Sequence, residues 1–352
     1  MTSKITAYAG TYTNGESKGI YQFTLDLETG NIENIHLAYE IDNPTYLCID
    51  KNNKYLYSVA KIENTGGVAA FSVNPTNNNL ELINYEVSEG NPPCHVSLDS
   101  KNSYLFSANY HKGEISVFPL NKDGSLSPAS DTSKHEGSGP NKERQEKPHA
   151  HYVSLTPDEK HVCSVDLGID KVVAYDFDNG LLKKSDKLTL SLNPGCGPRH
   201  MIFHPNKKYA YILTELSSEV VALEYNSAEN NFKILQYISA LPENFKEESS
   251  GSAIYISPNG RFLYAANRGH DSIAVFSINN ASGELSLIQH VSSQGSGPRD
   301  FAIDPTGKYL IAANQNTSTL ISFLIDAENG TLTQACNLVT IPNAVCIKFI
   351  NI

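Results

Sequence analysis

Only five of the chain's 27 Lys and Arg residues are arginines, at positions 144, 199, 261, 268 and 299. Arginine carries a planar fork that can grip a carboxylate or phosphate bidentately, which a lysine cannot do. Arg199 opens a short alternating segment, Met201 to Phe203. After the turn His204-Pro-Asn-Lys-Lys a second segment runs from Tyr209 to Leu213, with Glu215 at its far end. If the two segments pair as an antiparallel hairpin, Arg199 and Glu215 meet at one edge of a sheet. Glu215 then acts either as a general acid or base or as the counter-ion of Arg199 or Arg268. Histidine supplies a general base near neutral pH, and His149-Ala-His151 sets two imidazoles on one side of an extended strand, a spacing that can also chelate a metal. No further ligands form a set with them, and neighbouring arginines would repel a cation. The chain has no Gly-x-Ser-x-Gly elbow, no Gly-x-Gly-x-x-Gly turn and no Walker loop, so serine-hydrolase and nucleotide chemistry lack support.

The elements that must position these residues repeat along the chain. Cys48-Ile-Asp-Lys-Asn-Asn-Lys-Tyr-Leu-Tyr recurs as Ser97-Leu-Asp-Ser-Lys-Asn-Ser-Tyr-Leu-Phe, and again from Leu155, Phe203, Ile256 and Ile303. The aromatic or His after each turn stands at 55, 104, 161, 209, 262 and 309, a period near 50 residues. A third alternating strand follows in each copy, as in Glu114 to Pro119 and Ser272 to Ile278, and then a polar turn and a fourth strand. Four antiparallel strands per period predict a β-propeller blade. Residues 5–40 supply three further strands and residues 342–350 a fourth. The expected fold is therefore all-β: a seven-bladed propeller, one domain over 1–352, whose C-terminal strand completes the N-terminal blade and closes the ring. Two stretches interrupt the period, Asp131 to Lys147 and Pro242-Glu-Asn-Phe-Lys-Glu-Glu. Both fall on the face where first strands begin, as rim loops.

In that frame the start of strand one and the end of strand two share a face. The first set reads Thr45, Cys94, His151, Arg199, Ser252, Arg299 and Asn343. The second reads Lys61, Tyr110, Leu167, Glu215, Arg268 and Gln315. Three of the five arginines and six of the eleven histidines (95, 111, 149, 151, 200 and 270) crowd this rim. Two readings stay open. The arginines form an anion site at the channel mouth, or they pair with Glu215, Asp300 and Asp271 and only stitch blades together. For His95 and His200, packing within the blades is the preferred reading.

The formal net charge of −11 argues against a general nucleic-acid or anionic-membrane surface, so an anionic ligand needs a local basic cluster. Nineteen Tyr, no Trp and 18% charged residues suit strands and turns. Met1 to Tyr8 has no apolar signal core and no run of about 18 apolar residues occurs, so a cytoplasmic location is expected. The six cysteines (48, 94, 163, 196, 336 and 346) are scattered and read as small buried side chains, with no disulfide framework and no zinc pair.

Gly197-Pro-Arg-His-Met-Ile-Phe-His-Pro-Asn with Tyr209-Ala-Tyr and Glu215-Leu resembles the seven-bladed-propeller lactonases. These include the bacterial cycloisomerase-type 6-phosphogluconolactonases and the fungal carboxymuconate lactonizing enzymes. Leu241-Pro-Glu-Asn-Phe, Asn267-Arg268, Gly297-Pro-Arg299 and Tyr309-Leu-Ile-Ala-Ala are similar to family motifs as well, so the resemblance spans the whole chain. It implies a cytoplasmic enzyme that hydrolyses 6-phospho-D-glucono-1,5-lactone to 6-phosphogluconate in the oxidative pentose phosphate route, with no cofactor or metal. The family's catalytic His, Arg and Glu fall on His151, Arg199, Glu215 and Arg268, and His149, His200, Arg299 and Gln315 form the expected substrate-binding set. Cycloisomerisation of a carboxylated muconate lactone, a metal-dependent sugar lactonase and a non-catalytic binding propeller are the competing readings.

Overall fold

Alternating apolar segments fold into seven antiparallel sheets in a computed structural model that describes residues 3–351. Of the expected span 1–352, residues 1, 2 and 352 lie outside the described residues. The inner strands are Leu47–Ile49, His95–Leu98, Ala150–Leu155, Pro198–Phe203, Ser250–Ile256, Pro298–Ile303 and Ala344–Phe349. Each packs on the next, and the last touches the first, so the sheets close as a ring of seven blades. Ala344–Phe349 pairs with Lys4–Thr11, while Gly19–Asp26 and Ile32–Glu40 complete that blade. The N-terminal blade is thus locked by the C-terminal strand, as the split repeat requires. Two blades, at Lys171–Asp178 and Thr319–Ile325, carry their outer strand in two short pieces.

The recurring turn has a physical basis. Asp50 Oδ1 accepts from the backbone N of Lys54 and Tyr55 at 2.6 and 2.8 Å, and Asp99 Oδ1 from Ser103 and Tyr104 at the same distances. The third turn residue is left-handed in every full copy: Asn53, Asn102, Glu159, Lys207, Gly260 and Gly307. Asn and Gly suit that conformation. These turns lie on the face opposite Arg199, and so set hairpin register without entering the rim.

The core is shared between neighbours. Tyr57, Val59 and Val68 of one blade pack with Val96, Leu105 and Phe118 of the next, and Leu213 and Val220 pack with Ile254, Leu263 and Phe276. Burying each such side chain contributes about 1.5–3 kcal/mol, so no blade is expected to hold alone. All six cysteines are free. No helix among the described residues is long and apolar enough to cross a membrane.

One expected boundary is corrected. The interruption read over Asp131 to Lys147 begins later, because Asp131–Lys134 pairs with Glu114–Pro119 as that blade's outer strand. An outer strand needs only backbone pairing on one side, so the polar run Asp-Thr-Ser-Lys carries no alternation to betray it.

Candidate active site

Local backbone irregularity aims the rim. Pairing between the first two strands skips a residue at the rim end of several blades, Val345 among them, and in three of those blades the skipped residue is a histidine or an arginine. His151 falls between the pairs Ala150↔Asp166 and Tyr152↔Val165, Arg199 between Pro198↔Thr214 and His200↔Leu213, and Arg299 between Pro298↔Asn314 and Asp300↔Ala313. Each is the extra residue of a β-bulge, which breaks strict alternation and lets two consecutive side chains reach the channel. Arg199 with His200, and Arg299 with Asp300, accordingly line one small cavity together with His151, Tyr12, Thr45, Tyr46 and Cys94. Gly197 makes the entry possible. Its φ of +57° is left-handed, a Cβ there would meet Leu216 Cγ at 2.4 Å, and its carbonyl accepts from Glu215 N at 2.6 Å.

Glu215, buried one residue beyond Tyr209–Thr214, is the hub. Arg144 Nη2 lies 2.5 Å from its Oε1, and Arg199 Nε and Arg268 Nη2 lie 3.1 and 3.0 Å from its Oε2. Arg199 Nη1 also donates to Ser252 O at 2.5 Å, and Arg268 Nη2 to Gly251 O at 3.1 Å. The Nε groups of Arg199 and Arg268 are buried with no acceptor in hydrogen-bond geometry, and His151 Nδ1 is buried without a partner. Arg299 forms no ion pair among the described residues. Its guanidinium sits 5.5 Å over the Tyr12 ring and donates to the Tyr12 hydroxyl at 3.2 Å. Asp300, beside it, accepts from Ile347 N at 2.9 Å, and Asp271 accepts from Gly297 N at 2.8 Å. Four guanidinium groups therefore face the rim against Glu215 and, one residue inward, Asp300.

The chain and its fold match known proteins over nearly their full length. A model of the seven-bladed β-propeller lactonases covers residues 6–349. A 6-phosphogluconolactonase of Bacillus subtilis (strain 168) is 47% identical over 350 residues, covering 99% of each chain. The chain belongs to the seven-bladed β-propeller lactonase family. A crystal structure of a Lactobacillus plantarum protein, 36% identical, superposes with a TM-score of 0.94 over 99% of this lactonase and 100% of that chain. A periplasmic gluconolactonase of Pseudomonas aeruginosa, 30% identical, reaches 0.94 over 99% of both.

Charge states in the lactonase rim follow from burial and neighbours. Burial works against ionisation of Glu215, but Arg268, Arg199, His151 and the Arg144 hydrogen bond outweigh it and hold the carboxyl well below its ordinary range. Burial also lowers Arg199, with Arg299 and Arg268 adding repulsion, to about 10, which leaves it cationic at neutral pH. His151 is pushed well below the usual imidazole range by burial and by Arg199, against the pull of Glu215, so at pH 7 it is neutral.

The remaining expected residues separate. His200 lies one residue deeper, its ring 5.2 Å from His151 and 5.5 Å from His95. Tyr46, His95, Tyr152 and His200 form a belt across the channel below the rim. His149 does not converge with His151. It stacks on Tyr110 at 4.1 Å, with Nδ1 2.9 Å from Tyr110 O and Nε2 3.0 Å from Glu146 Oε2. The described residues contain no group of three or more His, Cys, Asp or Glu able to hold a metal. Gln315 sits half-buried past Tyr309–Asn314, its N–H donating to Gly297 O at 2.9 Å. His270 packs against Phe245 of the second rim loop. Arg144 is the residue that periodicity missed, since it belongs to a loop outside the repeat. The one available signal was an arginine in a chain that has only five.

Neutral buried histidines set the acid limit of the fold. His95, His151 and His200 are all pushed well below 6.5, in each case first by burial. Unfolded, each takes up a proton near pH 6.5 while the native state does not, so stability falls as pH drops below that value. The expected loss is about 1.4 kcal/mol per histidine per pH unit. Asp300, raised by burial, acts in the opposite sense only toward the carboxylate range. Denaturant unfolding at pH 7.5, 6.5 and 5.5 checks this, and a flat profile contradicts the neutral belt.

Proposed function

We propose that the chain is a 6-phosphogluconolactonase, which adds water to 6-phospho-D-glucono-1,5-lactone and releases 6-phospho-D-gluconate. The observation that carries the reading is a neutral, buried imidazole beside guanidinium groups that outnumber the carboxylates among them. A base and a surplus of positive charge are what hydrolysis of an anionic ester requires. The 47% identical relative named for this activity supports it.

The residues divide the work by their charge states. His151, unprotonated at neutral pH, accepts a proton from water as the water oxygen bonds to the lactone carbonyl carbon. The resulting oxyanion is met by the guanidinium of Arg199 or Arg268. As the intermediate collapses, the bond from that carbon to the ring oxygen breaks. The His151 imidazolium, a strong acid in this setting, returns the proton to the ring oxygen, and the product carries a carboxyl and a free hydroxyl. Glu215 suits the counter-ion role better than that of base, because three arginines hold its lone pairs and depress its basicity. Arg299, which forms no ion pair among the described residues, faces the anionic substituent. The phosphorylated substrate is ionic and stays where it is made, which fits a cytoplasmic enzyme.

The periplasmic gluconolactonase among the structural relatives favours a second reading, an unphosphorylated sugar lactone; carboxymuconolactone tests the third. The deciding assay follows disappearance of 6-phosphogluconolactone, gluconolactone and carboxymuconolactone, each with and without chelator. The expected result is turnover of the phospholactone above the others, unaffected by chelator. Arg199→Ala should then lower kcat/KM by about 10²–10³-fold, the cost of one oxyanion donor. No turnover, or undiminished turnover by the variant, overturns the assignment.

A further inference from the structure

The loop between the third and fourth blades is a strap pinned at both ends. At one end His135 Nδ1 and Asp166 Oδ2 are 2.6 Å apart, both fully buried. Toward the other end, fully buried Gln145 donates from Nε2 to Leu167 O at 2.8 Å and Asp170 Oδ1 at 2.7 Å, while its Oε1 accepts from Asn141 N at 3.1 Å. The Glu146–His149 contact and the stack of His149 on Tyr110 fasten the chain where it re-enters the blade. Between these anchors the Asn141 side chain accepts from the backbone N–H of Glu143 and Arg144, both at 3.1 Å. The strap thus holds the Arg144 backbone still and projects its side chain over Glu215.

Arg144 differs from the other two arginines on that carboxylate. Arg199 and Arg268 are 4% and 19% exposed, and each is also tied to a backbone carbonyl of the sixth blade. Arg144 is 42% exposed, and its neighbours are Glu215 and the Tyr110 hydroxyl. Water screens the partly exposed Arg144, which weakens its hold on the buried carboxylate. Glu215 would keep Arg199 and Arg268 if Arg144 left it, so the buried carboxylate stays compensated. A phosphate offers more oxygens in the fork geometry that arginine matches.

We propose that Arg144 is a specificity-determining residue that moves from Glu215 to the phosphate of a phosphorylated sugar lactone. The strap thereby reads the substituent while the bulged inner strands act on the ring. This rests on the phospholactonase reading above. Arg299, from the inner strand, grips the same anion from below.

The test uses the full chain and two substrates. Arg144→Ala is expected to lower the ratio of kcat/KM for 6-phosphogluconolactone over gluconolactone by about 10- to 100-fold, what one charge-assisted pair supplies. The loss should appear in KM more than kcat. Binding of 6-phosphogluconate, measured by calorimetry, should weaken by a similar factor, and Arg144→Lys should restore part of both. Because the strap is anchored through His135 and Gln145, thermal unfolding of the variants should stay near wild type, and calorimetry reads binding even where turnover is low. An active wild type whose variant keeps its preference ratio overturns this assignment alone. A wild type inert on both lactones overturns the lactonase reading and this assignment with it.

Discussion

Replacing His151 by Ala is expected to lower kcat/KM on the phospholactone by about 10²–10⁴-fold, the range for a positioned general base. His151 and His200 both line the mouth cavity, but His151 stands at the bulge position, whereas His200 lies one residue deeper with Arg199 Nη1 3.2 Å from its Nε2. Its depressed basicity keeps it unprotonated throughout the neutral range, so activity in the wild type should not fall with a pKa near 6.5. His151→Asn, which keeps polarity but cannot take the proton, should be as impaired as the alanine variant. Steady-state rates across pH 5.5–8 check both statements. A loss smaller than about threefold would move the base elsewhere, with Glu215 the next candidate.

Glu215→Gln should damage stability as well as rate. The carboxylate compensates two guanidinium groups that are nearly or largely buried, and a neutral amide of the same shape leaves them facing one another. Removing one partner of a buried ion pair costs about 3–5 kcal/mol, so the variant should unfold at clearly lower denaturant concentration and temperature. Inorganic phosphate should recover part of the loss, because an anion bound only by the native state stabilises it by mass action. Unchanged stability would mean that the arginines rearrange to solvent and that Glu215 is not their structural counter-ion. The sign with pH agrees. A carboxyl held below its ordinary range contributes stability at neutral pH that is lost as pH falls through and below that range.

The features behind these outcomes differ in how legible they are along the chain. The blades are readable because a propeller repeats its unit, and the turn carries its own chemistry: an Asp that caps, an Asn or Gly that goes left-handed, an aromatic that comes next. Where a strand lacks that chemistry, as in Asp131–Lys134, periodicity gives no sign of it, since an outer strand pairs through backbone alone. Arg199, Arg268 and Glu215 are legible as a group because the period assigns them to one face. The pairing of each with a particular atom is not.

Periodicity and alternation were enough to specify the ring, its closure by Ala344–Phe349 and the face on which scarce arginines gather, because both are local properties that hydrophobic burial converts into fold. The three-dimensional arrangement settled the rest. Three bulges turn His151, Arg199 and Arg299 into the channel against the alternation of their strands. A strap outside the repeat lays Arg144 across a carboxylate 71 residues further along the chain. His149 and His151, with one residue between them, do not converge on one ligand position, because the bulge sets them at different faces of Tyr110, His149 stacked on its ring and His151 at its edge and toward His200. Charge state followed from these placements, since burial and the distance between guanidinium groups and Glu215 exist only once the blades have closed.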